Sequence, residues 1–201
     1  TNETDSDSLY RNKIMLEEAN QNAVLYAYKK ALKQGNIKNT RVIVTYVYED
    51  AITNLEIGDE IISIDGEKIN DKASLYSKIY SYDIGDEISI KVKKDDKEED
   101  RKAVIQGVDD LRIIGIMISC LSDYEVKPKI NINFSSSESG PSGGLIMSLA
   151  IYNYLTDYDI TNGLKIAGTG TIDEDGNVGS IGGVKYKILG AVKDKIKYFI
   201  I

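Results

Sequence analysis

From Leu9 to Gln34 the apolar positions Leu16, Ala19, Ala23, Tyr26, Ala27 and Ala31 return at three- and four-residue intervals, and Gly35 follows them. That spacing predicts a helix over Leu9–Gln34 with a glycine stop, after a polar, acidic stretch, Thr1–Ser8, that reads as a disordered tail. At Arg41 the pattern changes. Val42 to Tyr48 is β-branched and aromatic, which predicts a strand. Ile57 to Ile69 reads as strand around an Asp65-Gly66 turn, a helix is expected from about Lys72 to Tyr82, and Gly85 to Val92 alternates as a half-buried strand does. The charged run Lys93 to Lys102 fits an exposed hairpin tip ahead of a strand at Ala103-Val104-Ile105.

Val108 to Leu111 reads as a junction between two halves. Beyond it, Arg112–Ser119 and Lys129–Phe134 are expected strands, and Ser135–Gly140 a loop of small residues. Leu145, Ile146, Leu149, Ala150 and Ile151 cover much of the circumference of a helix predicted from Gly143 to about Leu155, so that helix is expected to be buried. Lys165–Ile172 is an expected strand, followed by the turn Asp173-Glu174-Asp175-Gly176-Asn177. Val178–Gly183 then leads into a second helix with Lys185 and Lys187 in its first turn.

Composition narrows the classes. The 201 residues, 42% of them apolar, suffice for two domains of about 100 residues each. A net charge of -7 and a pI near 4.8 leave no basic face for phosphates, which excludes nucleic acid as the main partner and favours protein or peptide. The single Cys120 lies in an apolar run and reads as a small buried hydrophobe. No stretch approaches the roughly 18 apolar residues of a membrane span. The chain begins with Thr, which is read as the loss of an upstream segment.

The chemistry converges on Gly140-Pro141-Ser142-Gly143-Gly144. A serine at the first turn of a buried helix sits beside backbone N–H groups that lack intrahelical partners and can bind a developing oxyanion. Pro141 sets the start of the helix, and the glycines at 140, 143 and 144 let a substrate backbone approach. The same features suit a plain helix cap. A phosphate-binding loop would need a lysine after the glycines, and none follows until Lys165. With no histidine in the chain, a base for Ser142 must be a lysine or a carboxylate. Lysine acts as a base only when neutral, a fraction of about 1 in 2,500 at its reference pKa and pH 7, so a catalytic lysine must be desolvated. Helical periodicity leaves Lys185 and Lys187 both open. Lys185 projects nearer the stripe of Val184, Ile188, Leu189 and Val192, whereas Lys187 falls at its edge beside Val184 and Ala191.

The pattern Leu55-x-x-Gly58-Asp59-x-Ile61-x-x-Ile64-x-Gly66, followed by a helix and a Gly-Asp-x-Ile strand, resembles a PDZ domain over about Arg41–Gln106. That resemblance implies an extended peptide bound beside an edge strand and a helix, here Val42–Val47 with Val42, Val44 and Tyr46, and Ser74–Tyr82 with Leu75 and Ile79. Before Arg41, where such domains carry a Gly-Leu-Gly-Phe-type loop, the chain reads Gly35-Asn36-Ile37-Lys38-Asn39-Thr40.

Gly-Pro-Ser-x-Gly, Thr-Gly-Thr-Ile-Asp with an Asp-Gly turn, and Ile-Gly-Gly-x-Lys-x-Lys, in that order, resemble the proteolytic domain of the Lon family of Ser-Lys peptidases. Together with the PDZ-like part and without an ATPase module, the chain is similar to bacterial PDZ-Lon proteins. The resemblance implies an α+β fold: an N-terminal helical segment (9–35), a small PDZ-like β-rich domain (36–107), and a Lon-type α+β proteolytic domain (108–201) that continues beyond Ile201. It implies Ser142 as nucleophile, Lys187 as base and Thr169 as the hydroxyl holding the lysine amine, with Gly140 and Gly143 supporting. It further implies ATP-independent serine endopeptidase action on protein or peptide substrates, no cofactor or metal, an extracytoplasmic location with a membrane anchor upstream, and a homo-oligomer. The alternative function is a peptide-binding scaffold whose Lon-like half is catalytically idle.

Overall fold

The computed structural model describes residues 3–132 and 140–201. Residues 133–139, which hold the end of one expected strand and most of the small-residue loop, lie outside the described residues. The chain divides into two compact units, one comprising 1–14 and 38–123, the other 15–37 and 124–201.

Helix α1 spans Asp5–Leu32 and is counted partly with each unit. It starts four residues earlier than Leu9 because Thr4 and Asp7 form a reciprocal cap: the Asp7 N–H donates to Thr4 Oγ1 at 3.1 Å and the Thr4 N–H to Asp7 Oδ2 at 3.1 Å. Residues 5–8, expected to be disordered, are therefore its first turn.

In the first unit β1 (Asn36–Val47), β2 (Glu60–Ile64), β3 (Glu67–Lys68), α2 (Lys72–Tyr80), β4 (Glu87–Lys94), β5 (Lys97–Val104), β6 (Gln106–Val108), β7 (Leu111–Ile113) and β8 (Ile116–Glu125) follow in order. The sheet runs β5-β4-β2-β1-β8, with β3 paired to β2. Strand β4 alternates as its sequence demands, with Ile88, Ile90 and Val92 fully buried. They share a core with Val42, Val44, Ile61, Ile64 and the inward residues of α2, Leu75 and Ile79. Asp71 starts α2 with a capping box, its carboxylate accepting the Ser74 N–H at 2.7 Å. The helix stops at Tyr80 rather than Tyr82.

Two expectations change here. The charged run is mostly strand, and only Asp95-Asp96, both at positive φ, form the tip between β4 and β5; the side chains stay solvated because β5 is the outer strand, where charge blocks further pairing. The stretch read as a junction, Val108–Leu111, is the turn of the β6–β7 hairpin.

In the second unit a 3-10 turn, Pro141–Gly143, leads into α3 (Gly144–Leu155), followed by β9 (Ile166–Gly168), β10 (Thr171–Ile172), β11 (Val178–Gly179), α4 (Val184–Lys193) and β12 (Tyr198–Ile200). Strands β9 and β12 pair in parallel, and β10 and β11 form an antiparallel hairpin. The core gathers Ala23, Val24, Ala27 and Tyr28 of α1 with Ile151 and Ile172. Residues 129–132 are not strand. The apolar stripe of α4 is not buried: Val184 is half-buried, while Ile188, Leu189 and Val192 are exposed, because nothing described packs over them.

Candidate active site

Ser142 is the central residue of the 3-10 turn and is half-buried. Gly140 precedes it with φ 79°, a left-handed value that favours glycine, and among the described residues Cβ atoms at 140 and 143 would meet nothing within 4 Å. Gly144 differs, since a Cβ there would lie 3.2 Å from Ile172. Two backbone N–H groups near Ser142 are spent: that of Gly144 on Pro141 O, and that of Leu145 on Gly170 O at 3.0 Å.

The strand expected over Lys165–Ile172 is interrupted between β9 and β10, and Thr169 occupies the interruption. Its position is fixed by the Thr169 N–H donating to Ile200 O at 2.9 Å, and Thr169 is 3% exposed. The Thr169 hydroxyl donates to the Ser142 carbonyl at 3.0 Å, and the Gly170 N–H donates to the same oxygen at 2.9 Å. Lys187, in the first turn of α4, donates from Nζ to Thr169 Oγ1 at 3.1 Å. A hydroxyl has one proton, and here the Ser142 carbonyl takes it, so toward Lys187 the oxygen is an acceptor. The amine is thereby tethered to the main chain of Ser142 through one side chain. Lys185 is exposed. Periodicity left the two lysines open; only Lys187 is drawn toward Ser142 by Thr169. Among the described residues no hydrogen bond joins Ser142 Oγ to Lys187 Nζ.

The residues expected to bind peptide in the first unit are placed differently. Val42 and Val44 are 1% and 0% exposed and face the core, as do Leu75 and Ile79. Tyr46 is half-buried and stacks edge-on against Tyr48 at 5.1 Å. Strand β1 is hydrogen-bonded on both sides, to β2 and to β8, and is no edge. The expectation of a peptide laid along Val42–Val47 meets a strand that pairs with β2 at Val42 and Ile43 and is bonded from Val44 to Gly58 and Asp59. The sheet ends instead at β8, whose Ile116, Ile118 and Cys120 pack partly buried against the core that holds α2. A tight turn precedes it. Gly115 has φ 69° and a Cβ there would fall 2.4 Å from Ala51 Cβ; its carbonyl accepts the Tyr48 N–H at 2.9 Å. Arg112 Nη1 donates to Tyr80 O at the end of α2, 2.6 Å away.

Comparison with known proteins agrees with this architecture. The PDZ domain family matches residues 15–104, and the Lon protease (S16) C-terminal proteolytic domain family matches residues 116–201. A serine protease Do-like HtrA of Lactobacillus helveticus is 33% identical over 84 residues, 40% of this chain and 20% of that protein; the chain thus spans one fifth of the length of that curated relative. Among solved structures, the PDZ domain of the SdrC-like protein from Listeria monocytogenes is 27% identical, with a TM-score of 0.38 over 41% of this chain and 92% of that one. Its counterpart from Listeria innocua is 30% identical, with a TM-score of 0.36 over 39% and 92%. The half that carries Ser142, Thr169 and Lys187 is the half matched by the Lon-type proteolytic domain family. With the PDZ domain ahead of it, the chain has the PDZ-Lon architecture.

Proposed function

We propose that the chain is an ATP-independent serine endopeptidase in which Ser142 is the nucleophile and Lys187 its general base. The observation that carries this reading is the relay Lys187 Nζ–Thr169 Oγ1–Ser142 O, which holds the amine beside the helix-tip serine. One N–H of a neutral amine goes to Thr169, and the lone pair stays available for the Ser142 proton. In the acylation step Ser142 Oγ bonds to the scissile carbonyl carbon while its proton passes to Lys187 Nζ. The tetrahedral intermediate then expels the amine, which takes that proton as the C–N bond breaks. Water attacks the acyl ester with Lys187 again as base, and Ser142 is regenerated. Backbone N–H groups at the turn that carries Ser142 stabilise the oxyanion.

The PDZ module places the substrate, with the terminal strand β8 of its sheet taking an extended peptide by strand addition. Family resemblance supports an extracytoplasmic setting with a membrane anchor upstream and assembly into a homo-oligomer. The test is cleavage of a denatured protein without ATP and with chelator, followed by mass spectrometry of products. Peptides from the parent and none from Ser142→Ala or Lys187→Met are expected. Parent-level cleavage by either variant refutes the dyad, and binding of peptide with no turnover by the parent favours the idle scaffold.

A further inference from the structure

Helix α4 turns one side into the second unit and leaves the other bare. Val184, Lys187 and Ala191, spaced by three and four, are half-buried, whereas Lys185, Tyr186, Ile188, Leu189, Val192 and Lys193 are exposed. At about 3.6 residues per turn those six fall within one half of the helix circumference, so aliphatic side chains, a tyrosine and two ammonium groups share one solvent face. Tyr186 is 78% exposed, Leu189 56% and Val192 64%. The charge of this stretch runs against that of the whole chain. Residues 184–198 hold five lysines and one carboxylate, Asp194, in a protein whose net charge is -7. Lys187 is bonded to Thr169. Among the described residues the side chains of Lys185, Lys193, Lys195 and Lys197 have no ion pair or hydrogen bond. In the first unit, by contrast, Lys93 and Lys102 pair with Asp96 and Glu87 at 2.8 and 2.6 Å. The overall excess of acid, from which no basic face was expected, conceals a local one.

Exposed aliphatic groups favour burial, and unpaired lysines on the same face select a negative surface with apolar depth beneath it. A bilayer with anionic headgroups has both: the aliphatic side chains and Tyr186 enter its boundary, and the lysine stems lie along the apolar side while their ammonium groups reach the phosphates. A symmetric contact between two copies is opposed, since it sets Lys185 and Lys193 against their own counterparts. We propose that the exposed face of α4 docks the second unit onto an anionic lipid surface. The contact is with the surface and not a span, because among the described residues no helix is long and apolar enough to cross a membrane. Lys187 faces inward from the same helix, so docking places its backbone within about 10 Å of the headgroups. Docking itself requires no catalysis, and its test is independent of the dyad.

The test is co-sedimentation of the 201-residue chain with vesicles of phosphatidylcholine alone and of equal parts phosphatidylcholine and phosphatidylglycerol. Binding to the mixed vesicles and none to phosphatidylcholine is expected, weakening as salt screens the charges. Lys185→Gln and Lys193→Gln are each expected to lower partitioning about fivefold. Leu189→Ser is expected to lower it severalfold, and Lys97→Gln in the first unit to leave it unchanged. All four positions are exposed, so unfolding midpoints are expected to stay at the parental value. No binding to the mixed vesicles, partitioning unmoved by the α4 substitutions, or an equal loss in Lys97→Gln overturns the proposal. Sedimentation velocity without lipid reads the rival occupant. Self-association that Leu189→Ser abolishes while vesicle binding persists makes the face a contact between copies and overturns the lipid assignment.

Discussion

Thr169→Val removes one hydroxyl and little volume, and it cuts the relay at its midpoint. Two hydrogen bonds disappear, the one from Lys187 Nζ at 3.1 Å and the one to Ser142 O at 3.0 Å. The Ser142 carbonyl keeps the Gly170 N–H at 2.9 Å, so it is not orphaned. A bond between neutral groups is worth about 0.5–1.5 kcal/mol. If the tether acts on the neutral reacting amine, its loss raises the barrier by about that amount, which slows kcat roughly 2- to 13-fold. The fold is expected to survive, because the Thr169 backbone remains bonded to Ile200 O. The assay is steady-state cleavage of a quenched fluorogenic peptide by the parent, Thr169→Val and Thr169→Ser, with unfolding midpoints in urea for each. Serine restores the hydroxyl and is expected to recover most of kcat at unchanged KM. A Thr169→Val protein with parental kcat, or a serine variant no better than valine, refutes the assignment of Thr169 as the residue positioning Lys187.

Further tests address the scaffold. Asp59 is fully buried and accepts Arg101 Nε at 3.0 Å and the Glu56 N–H at 2.8 Å; Asp59→Ala removes both bonds but leaves Arg101 paired with Glu99 at 3.0 Å and Glu56 at 3.6 Å, and is expected to cost the first unit about 1–3 kcal/mol in chemical denaturation. Tyr28 is also fully buried and donates its hydroxyl to Pro128 O; Pro128 is exposed and its carbonyl can turn to water, so Tyr28→Phe is expected to cost the second unit about 0.5–1.5 kcal/mol. The Asp65 carboxylate is held below its ordinary value of 3.8 by the Tyr82 hydroxyl and the Ser89 N–H. A depressed folded pKa contributes stability above the unfolded value, so that contribution is expected to fade as pH falls from about 3.8 through the lower folded value; Asp65→Asn should flatten stability curves in that window. Peptide added to the PDZ domain is expected to slow hydrogen exchange along one edge of β8 and leave β1 unchanged, since β1 is already paired on both sides; protection gained in β1 contradicts the groove assignment.

Local periodicity was enough to read most elements. Alternation in Glu87–Lys94, the Asp71 cap of α2 and the apolar run of α3 each answer to neighbours a few residues away. The Thr4-x-x-Asp7 cap is equally local, but the residues around it are polar and carry no apolar period that marks a helix. What the pattern could not supply was pairing at long range. Val42–Val47 reads the same whether it is an edge or an interior strand, and only the return of the chain at Ile116–Glu125 decides it. The active site divides along the same line. Ser142 at a helix start is legible from periodicity, and Lys187 rather than Lys185 only from the resemblance carried by Gly-Gly-x-Lys-x-Lys; the bond from Lys187 to Thr169, at a break between two strands, is a long-range contact that no local pattern encodes.

The account turns on an amine that activates one serine, and covalent labelling reads that directly. The parent and Lys187→Met are each incubated with a serine-directed fluorophosphonate, and intact mass with peptide mapping follows the modification in time. The account predicts a single adduct on Ser142 in the parent, formed at least about 100-fold more slowly in Lys187→Met. Equal labelling rates in the two proteins, or an adduct that maps elsewhere, contradict it.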